Sequence, residues 1–141
     1  MSTPAIPHRG LRHLALNVKD VPTAVAFYTT LFGMHVVWQP DAENAYLSSG
    51  CDNLALHQIS QVCTEALQTK HNGQSLDHFG FVVEHSTDVD RAAEILTAEQ
   101  VPIIAAPRTH RDGSRSLYCK DPDGNVIQIL YEPSLSPQQI S

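Results

Sequence analysis

Three histidines interrupt apolar runs of this 141-residue chain, and their setting points to chemistry. His13 lies in GLRHLALNV, His57 lies in NLALHQI, and His78 lies in LDHFGFVVE. A buried polar group without a partner costs about 1–3 kcal/mol, so each imidazole needs one. Neutral imidazole suits Zn, Fe, Ni or Cu, so one divalent metal ion is a candidate partner for all three.

The surroundings of His13 and His78 indicate an internal repeat with an offset of 65 residues. RHLALNV lies over DHFGFVV, and in both segments apolar residues alternate as in a half-buried strand. Each half continues with a helix, a short strand and a hairpin-like pair. We therefore predict a single domain over residues 1–141 that consists of two βαβββ modules, at about residues 9–60 and about residues 75–133.

Two helices are predicted between these strands. The first covers Val21–Phe32, with Asp20 as N-cap and a glycine directly after its last residue. The second covers Asp88–Gln100, and Thr87 or Asp88 caps it. Each helix packs on the apolar face of its own strands in this prediction.

The closing strands of the two halves add a fourth polar position. Aligning them places His57 over Gln128, with an offset of 71 residues. Because strand side chains alternate between faces, His13, His57, His78 and Gln128 all lie on the face away from the helices. We predict that this face lines a cup in which the four side chains hold a divalent ion. The alternative is that each histidine is hydrogen-bonded and half-buried, with no metal.

Tyr118 is predicted to project into the same cup. Tyr118 and Gln128 each lie five residues from Asp123, within the turn motif DPDG, so they stand opposite each other in a hairpin. Cross-strand partners share a face. The phenol could then hydrogen-bond a substrate oxygen or supply a proton. The alternative is an aromatic side chain that only packs.

Bulk properties exclude several other classes of function. The net charge is −6 and no basic stripe occurs, which argues against nucleic-acid binding. No apolar run approaches the roughly 20 residues of a membrane span, and the first residues lack a signal-peptide core. Cys51, Cys63 and Cys119 lack paired spacing and are expected to be reduced thiols in a cytoplasmic protein.

Three segments together resemble the vicinal oxygen chelate superfamily. They are LRHLALNVKDVPTAVAFYTTLFGM, LDHFGFVV and SLYCKDPDGNVIQIL, and the resemblance covers about residues 9–133. This superfamily includes glyoxalase I, fosfomycin-resistance thiol transferases, extradiol catechol dioxygenases and bleomycin-resistance proteins. The resemblance implies an α+β fold whose two βαβββ modules form a curved mixed-sheet cup. It also implies a bound divalent metal ion (Fe, Ni, Zn or Mn) and a homodimer.

The same resemblance assigns roles to individual residues. His13 and His78 match the first-strand metal ligands, and His57 matches the closing-strand position of module one. Gln128 lies where the metal-dependent branches carry Glu, and Tyr118 matches a tyrosine near the metal. An amide cannot take a proton, so Gln128 argues against ordinary glyoxalase I chemistry unless His57 is the base.

We therefore predict a metal-dependent enzyme that acts on a small molecule with vicinal oxygens. Dioxygenase- or lyase-like chemistry ranks above thiol transfer, and His57 or Tyr118 is the expected proton carrier. One alternative is a metal-free protein that sequesters an aromatic or antibiotic ligand, although Trp38 and few other aromatics near the cup give it little support. Another is a former enzyme that lost its activity through Gln128.

Overall fold

The structure is a computed structural model that describes residue 5 and residues 11–59 and 76–136. Cys63 and three of the four predicted module boundaries, at about residues 9, 60 and 75, lie outside the described residues. The elements are β1 (His13–Val18), α1 (Val21–Phe32), β2 (His35–Asp41), β3 (Asn44–Ser48), β4 (Asn53–Gln58), β5 (Phe79–Val82), α2 (Ser86–Ala98), β6 (Ile103–Thr109), β7 (Arg115–Lys120) and β8 (Val126–Tyr131). No helix in these ranges is long and apolar enough to cross a bilayer.

The eight strands form two four-stranded sheets of the same topology. Their orders are β1-β4-β3-β2 and β5-β8-β7-β6. In each sheet the first strand runs parallel to the fourth, and the remaining pairs are antiparallel. The helix in each half supplies the crossover that a parallel pair requires. The predicted α+β fold of two βαβββ modules is confirmed.

Helix α1 begins and ends where the sequence predicts, because its end signals are local. The Asp20 carboxylate accepts a hydrogen bond of 3.0 Å from the Thr23 backbone N–H, as an N-cap does. Gly33 follows with φ +63°, a left-handed conformation that costs glycine little.

Helix α2 begins at Ser86 instead of Asp88, so the predicted cap is wrong. The Asp88 carboxylate accepts a hydrogen bond of 3.0 Å from the His85 backbone N–H, which makes His85 the N-cap and places Asp88 inside the first turn. The helix ends at Ala98, two residues early, and Gln100 has a φ of +59°. A residue in the left-handed region cannot continue the helix.

The two faces of the strands in each parallel pair differ as predicted. On β1, Leu16 and Val18 are buried, whereas His13 is exposed. On β8, Ile127 and Ile129 are buried in the same core. The helix-covered faces of both sheets therefore form one apolar core, and the opposite faces are left to line the cup.

The two modules are joined by a buried hydrogen bond between α1 and the turn before β8. The Tyr28 hydroxyl donates to Asp121 Oδ2 at 2.7 Å. Burial and the negative charge of Asp121 raise the pKa of the Tyr28 phenol, so it stays protonated and donates. Asp121 also accepts from the backbone N–H groups of Asp123 and Asn125, at 2.9 and 2.8 Å. One carboxylate thus fixes both the DPDG turn and the module junction.

The described cysteines are free thiols with no sign of reactivity. Cys51 is half-buried and Cys119 is fully buried. Burial, with the nearby charge of Asp121, raises the pKa of Cys119 to about 11. Cys119 is therefore a protonated core residue at neutral pH rather than a nucleophile.

Tyr28→Phe is expected to destabilise the protein. Removing a hydrogen bond to a buried carboxylate costs about 1.5–3 kcal/mol in the free energy of unfolding. Urea unfolding followed by circular dichroism measures this change. The hydroxyl of half-buried Tyr131 makes no hydrogen bond to the described residues, so Tyr131→Phe is a matched control, with an effect below about 0.5 kcal/mol. Equal losses in both variants would contradict the proposed clamp.

Candidate functional site

The register of the first sheet separates His13 from His57. In the parallel pair β1–β4, His13 lies beside Asn53 and His57 lies beside Asn17. Four residues along a strand correspond to about 13 Å. Strand side chains stand perpendicular to the sheet, so these two imidazoles of one chain do not reach a common ion.

The same registers show that His57 is not the repeat equivalent of Gln128. In the second sheet Gln128 pairs with Gly80, the residue two places after His78. In the first sheet the corresponding residue Ala15 pairs with Ala55. Ala55 is therefore the equivalent of Gln128, and the sequence alignment was wrong by two residues. A shift of two residues keeps a side chain on the same face of the sheet, because strand side chains alternate with a period of two.

His13 and His78 come together at the edge between the two sheets. Both line one cavity of about 390 Å³ that lies along the starts of β1 and β5. His78 directly precedes β5, which begins at Phe79. The cavity also receives the apolar side chains of Leu14, Met34 and Phe81. Both imidazoles therefore border one largely apolar hollow.

His78, Tyr118 and Gln128 form a group on the open face of the second sheet. Tyr118 pairs with Gln128 across β7 and β8, as the turn position predicts. The rings of His78 and Tyr118 meet edge to face, with centroids 5.2 Å apart. A Cβ at Gly80 would lie 3.0 Å from the Gln128 backbone oxygen, tighter than nine in ten real contacts of a Cβ atom. Glycine therefore keeps the surface beside Gln128 open.

Each of the three histidines has its Nδ1 atom against a side-chain oxygen. The oxygens are Asn53 Oδ1 at 2.9 Å from His13, Asn44 Oδ1 at 2.7 Å from His57, and Asp77 Oδ1 at 2.6 Å from His78. Amide and carboxylate oxygens only accept, so Nδ1 carries the proton in each ring. The Nε2 lone pairs remain, and no hydrogen bond from a described residue reaches them. Metal-ligating histidines show this arrangement.

The donors present suit a divalent transition metal. Within residues 11–59 and 76–136, no three His, Cys, Asp or Glu side chains gather as a metal site would require. Two imidazoles line the cavity, and Gln128, whose neutral amide oxygen is a further candidate donor, lies outside that lining, opposite Gly80. Imidazole nitrogen suits Zn, Fe, Ni and Cu, and the open face leaves room for substrate oxygens.

A row of aromatic side chains crosses the open face of the first sheet, and sequence reasoning missed it. Trp38 stacks on Tyr46 with centroids 4.9 Å apart, and Tyr46 meets the His57 ring edge to face at 5.7 Å. Trp38 pairs with Tyr46 across β2 and β3, and the side chain of Trp38 is 59% exposed. The expectation of few aromatics near the cup is corrected, since both rings lie on the cup face.

The arginines near β7 divide between structural and exposed positions. Arg115 donates to both Asp90 oxygens, at 2.6 and 3.0 Å, and so anchors β7 to α2. Arg108 lies in β6, opposite Ser116 of β7. Ser116 precedes Tyr118 by two residues, so Arg108 borders the same face as the phenol.

Comparisons with known proteins agree with this architecture. A metallothiol transferase of Shouchella clausii is 25% identical over 120 residues, which are 85% of this chain and 78% of that protein. A trivalent organoarsenical cleaving enzyme of Bacillus sp. (strain MD1) is 29% identical over 124 residues, covering 84% of this chain and 71% of the enzyme.

Among solved structures, lactoylglutathione lyase from Agrobacterium tumefaciens superimposes with a TM-score of 0.72 at 22% identity. The match covers 92% of this chain and 98% of the lyase. At 22% identity this structural similarity shows a shared fold and no more. The family model described as Glyoxalase/Bleomycin resistance protein/Dioxygenase superfamily matches residues 10–129. With nearly the whole chain matched and the fold shared, the chain belongs to the glyoxalase/bleomycin resistance protein/dioxygenase superfamily.

Proposed function

We propose that this protein is a metal-dependent enzyme that acts on a small molecule with two adjacent oxygens. One observation carries the proposal. His13 and His78 line one cavity, and each has its Nδ1 atom hydrogen-bonded to a side-chain oxygen, which leaves the Nε2 lone pair for a metal ion. The relatives named as a metallothiol transferase and an organoarsenical cleaving enzyme support it. Within this class we favour dioxygenase- or lyase-like chemistry over thiol transfer.

His13, His78 and Gln128 would hold the ion, through two imidazole nitrogens and one amide oxygen. A bound divalent ion, one of Fe, Ni, Zn or Mn, supplies Lewis-acid stabilisation of an oxyanion. Gln128 offers coordination but cannot act as a base, because an amide does not take a proton. The proton must therefore be handled by another side chain of the open face.

Tyr118 is the proposed proton carrier. Its ring lies against the His78 ring and opposite Gln128, so its hydroxyl would border the proposed metal ligands. A phenol there donates a hydrogen bond to a substrate oxygen and delivers a proton to it. His57 lies about 13 Å along the strands from His13. We propose that His57 contacts the distant end of the substrate, beside the aromatic row.

We also propose that two chains associate through their open faces. Trp38 is 59% exposed on the first sheet, and Val82 is 47% exposed on the second. Large apolar side chains grouped on a surface mark association sites. A homodimer that pairs the two faces would bury both and close the cup over the substrate.

Alanine substitutions of the two cavity histidines are expected to abolish tight metal binding. His13→Ala and His78→Ala should each weaken zinc binding beyond the about 10–100-fold loss typical of residues that only support a ligand. Titration against a chromophoric chelator, with elemental analysis of the purified protein, measures this.

His57→Ala is the matched control for these variants, because His57 also has a tied Nδ1 atom but lies far from His13. We expect its zinc affinity to stay within about threefold of that of the unmodified protein. A loss in His57→Ala equal to that in His13→Ala would overturn the assignment. Circular dichroism confirms that each variant is folded.

Replacing Val82 by Glu is expected to dissociate the proposed dimer. A charge in an apolar interface is buried without a partner, which opposes association. Analytical ultracentrifugation should give a dimer for the unmodified chain and a monomer for Val82→Glu. A monomer in both cases would refute association through this face, and Ile95→Glu, an exposed residue of α2, is the control.

Metal-free ligand capture is the second candidate function, and the aromatic row favours it. The stacked Trp38 and Tyr46 rings present an exposed aromatic surface on the cup face. Planar ligands bind such surfaces by offset stacking. A protein of this kind would hold its ligand through the first sheet alone, with no contribution from His78 or Gln128.

Catechol, a planar probe with adjacent oxygens, separates the two functions. Trp38 is the one tryptophan of the sequence, so tryptophan fluorescence reports on the cup face. The enzyme proposal expects metal-loaded protein to bind catechol at least about tenfold more tightly than chelator-treated protein, a gain of about 1.4 kcal/mol. Equal catechol affinity of the metal-loaded and chelator-treated protein, together with loss of catechol binding in Tyr46→Leu, would favour metal-free ligand capture.

A further inference from the structure

The proposed ligand set contains no negative charge. His13 and His78 bind as neutral imidazoles, and Gln128 contributes a neutral amide oxygen. A divalent ion held by these donors would keep its full charge, and the cavity that the two imidazoles line is partly apolar. Burying an unpaired charge is costly, so a carboxylate close to the ligands would strengthen the site. The question is which carboxylate of this chain is placed to act.

Asp77 is in direct contact with a proposed ligand. Its Oδ1 atom accepts a hydrogen bond from His78 Nδ1 at 2.6 Å. The equivalent partner of His13 is the amide of Asn53, at 2.9 Å. Both oxygens orient a ring, but only the carboxylate, whose side chain is 95% exposed, also places a negative charge beside the imidazole. The two modules therefore support their histidines with different chemistry.

A second carboxylate, Asp52, lies at the cavity but is hydrogen-bonded within a turn. Asp52 lines the same cavity, and its Oδ1 atom accepts a hydrogen bond of 2.6 Å from the Ser49 backbone N–H. It also lies within 3.4 Å of the Ser48 hydroxyl. Asp52 thus closes the turn between β3 and β4 and contacts no imidazole in the described residues. It provides a control for cavity charge without direct contact.

We propose that Asp77 is a positioning residue that supplies the negative charge which Gln128 lacks. In this arrangement the negative charge lies beside His78 and not at Gln128 on β8. This inference rests on the proposed metal site and adds a prediction about how two residues depend on each other. If it is right, the effects of changing Asp77 and Gln128 on metal affinity must compensate.

The test measures zinc affinity in four forms at one pH and ionic strength, by competition with a chromophoric chelator. Asp77→Asn keeps an acceptor oxygen for Nδ1 but removes the charge, so we expect zinc binding to weaken about 10–100-fold. Gln128→Glu adds a charged ligand and should tighten it. In the double variant D77N/Q128E the affinity should return to within about threefold of that of the unmodified protein.

Asp52→Asn is the control, since asparagine also keeps the acceptor oxygen for Ser49. Its zinc affinity should stay within about threefold of the original value. Zinc affinity unchanged in Asp77→Asn, while His78→Ala loses zinc, would overturn this inference and leave the proposed function standing. A Gln128→Glu variant that does not tighten zinc, or does not rescue D77N, would also overturn it. Failure of the unmodified protein to bind zinc or any other divalent ion would refute both proposals.

Discussion

The pairing of the first and fourth strands in each half determines what the open faces carry. A strand alternates its side chains between two faces, so placing Leu16 and Ile129 in the core commits their neighbours to the cup. The register then decides which neighbours meet. Gln128 meets Gly80 in the second sheet, whereas Ala55 meets Ala15 in the first. One constraint thus gives the two halves a shared fold and gives only the second a polar side chain, Gln128, at the position that Ala55 occupies in the first.

The sequence predicts what is encoded locally. Helix α1 has its cap, its first-turn proline and its terminal glycine within a few residues, and both ends are correct. The DPDG turn fixes Tyr118 opposite Gln128 for the same reason. The predicted start of helix α2 is wrong because an aspartate such as Asp88 can either cap a helix or lie in its first turn. The hydrogen bond from the His85 backbone N–H to Asp88 shows that Asp88 lies in the first turn.

Features that depend on distant pairing were not predictable in the same way. The register between β1 and β4 is set by packing across 40 intervening residues, and a shift of two leaves the face pattern unchanged. The sequence pattern therefore aligned His57 with Gln128, although Ala55 is the equivalent residue. The stacking of Trp38 on Tyr46 depends on irregular pairing between β2 and β3, with register shifts on either side of Trp38. No alternation of residue types along the chain reveals such a contact.

The two modules carry different side chains on the open faces of one shared scaffold. The first carries an imidazole oriented by an amide, a floor of small side chains at Ala15 and Ala55, and an aromatic row. The second carries an imidazole held by a carboxylate, with a phenol and an amide beside it. Aromatic surfaces bind planar groups, whereas charged and polar donors hold ions and move protons. Under the proposed function, a substrate that spans both faces would be recognised mainly by the first module and would react at the second.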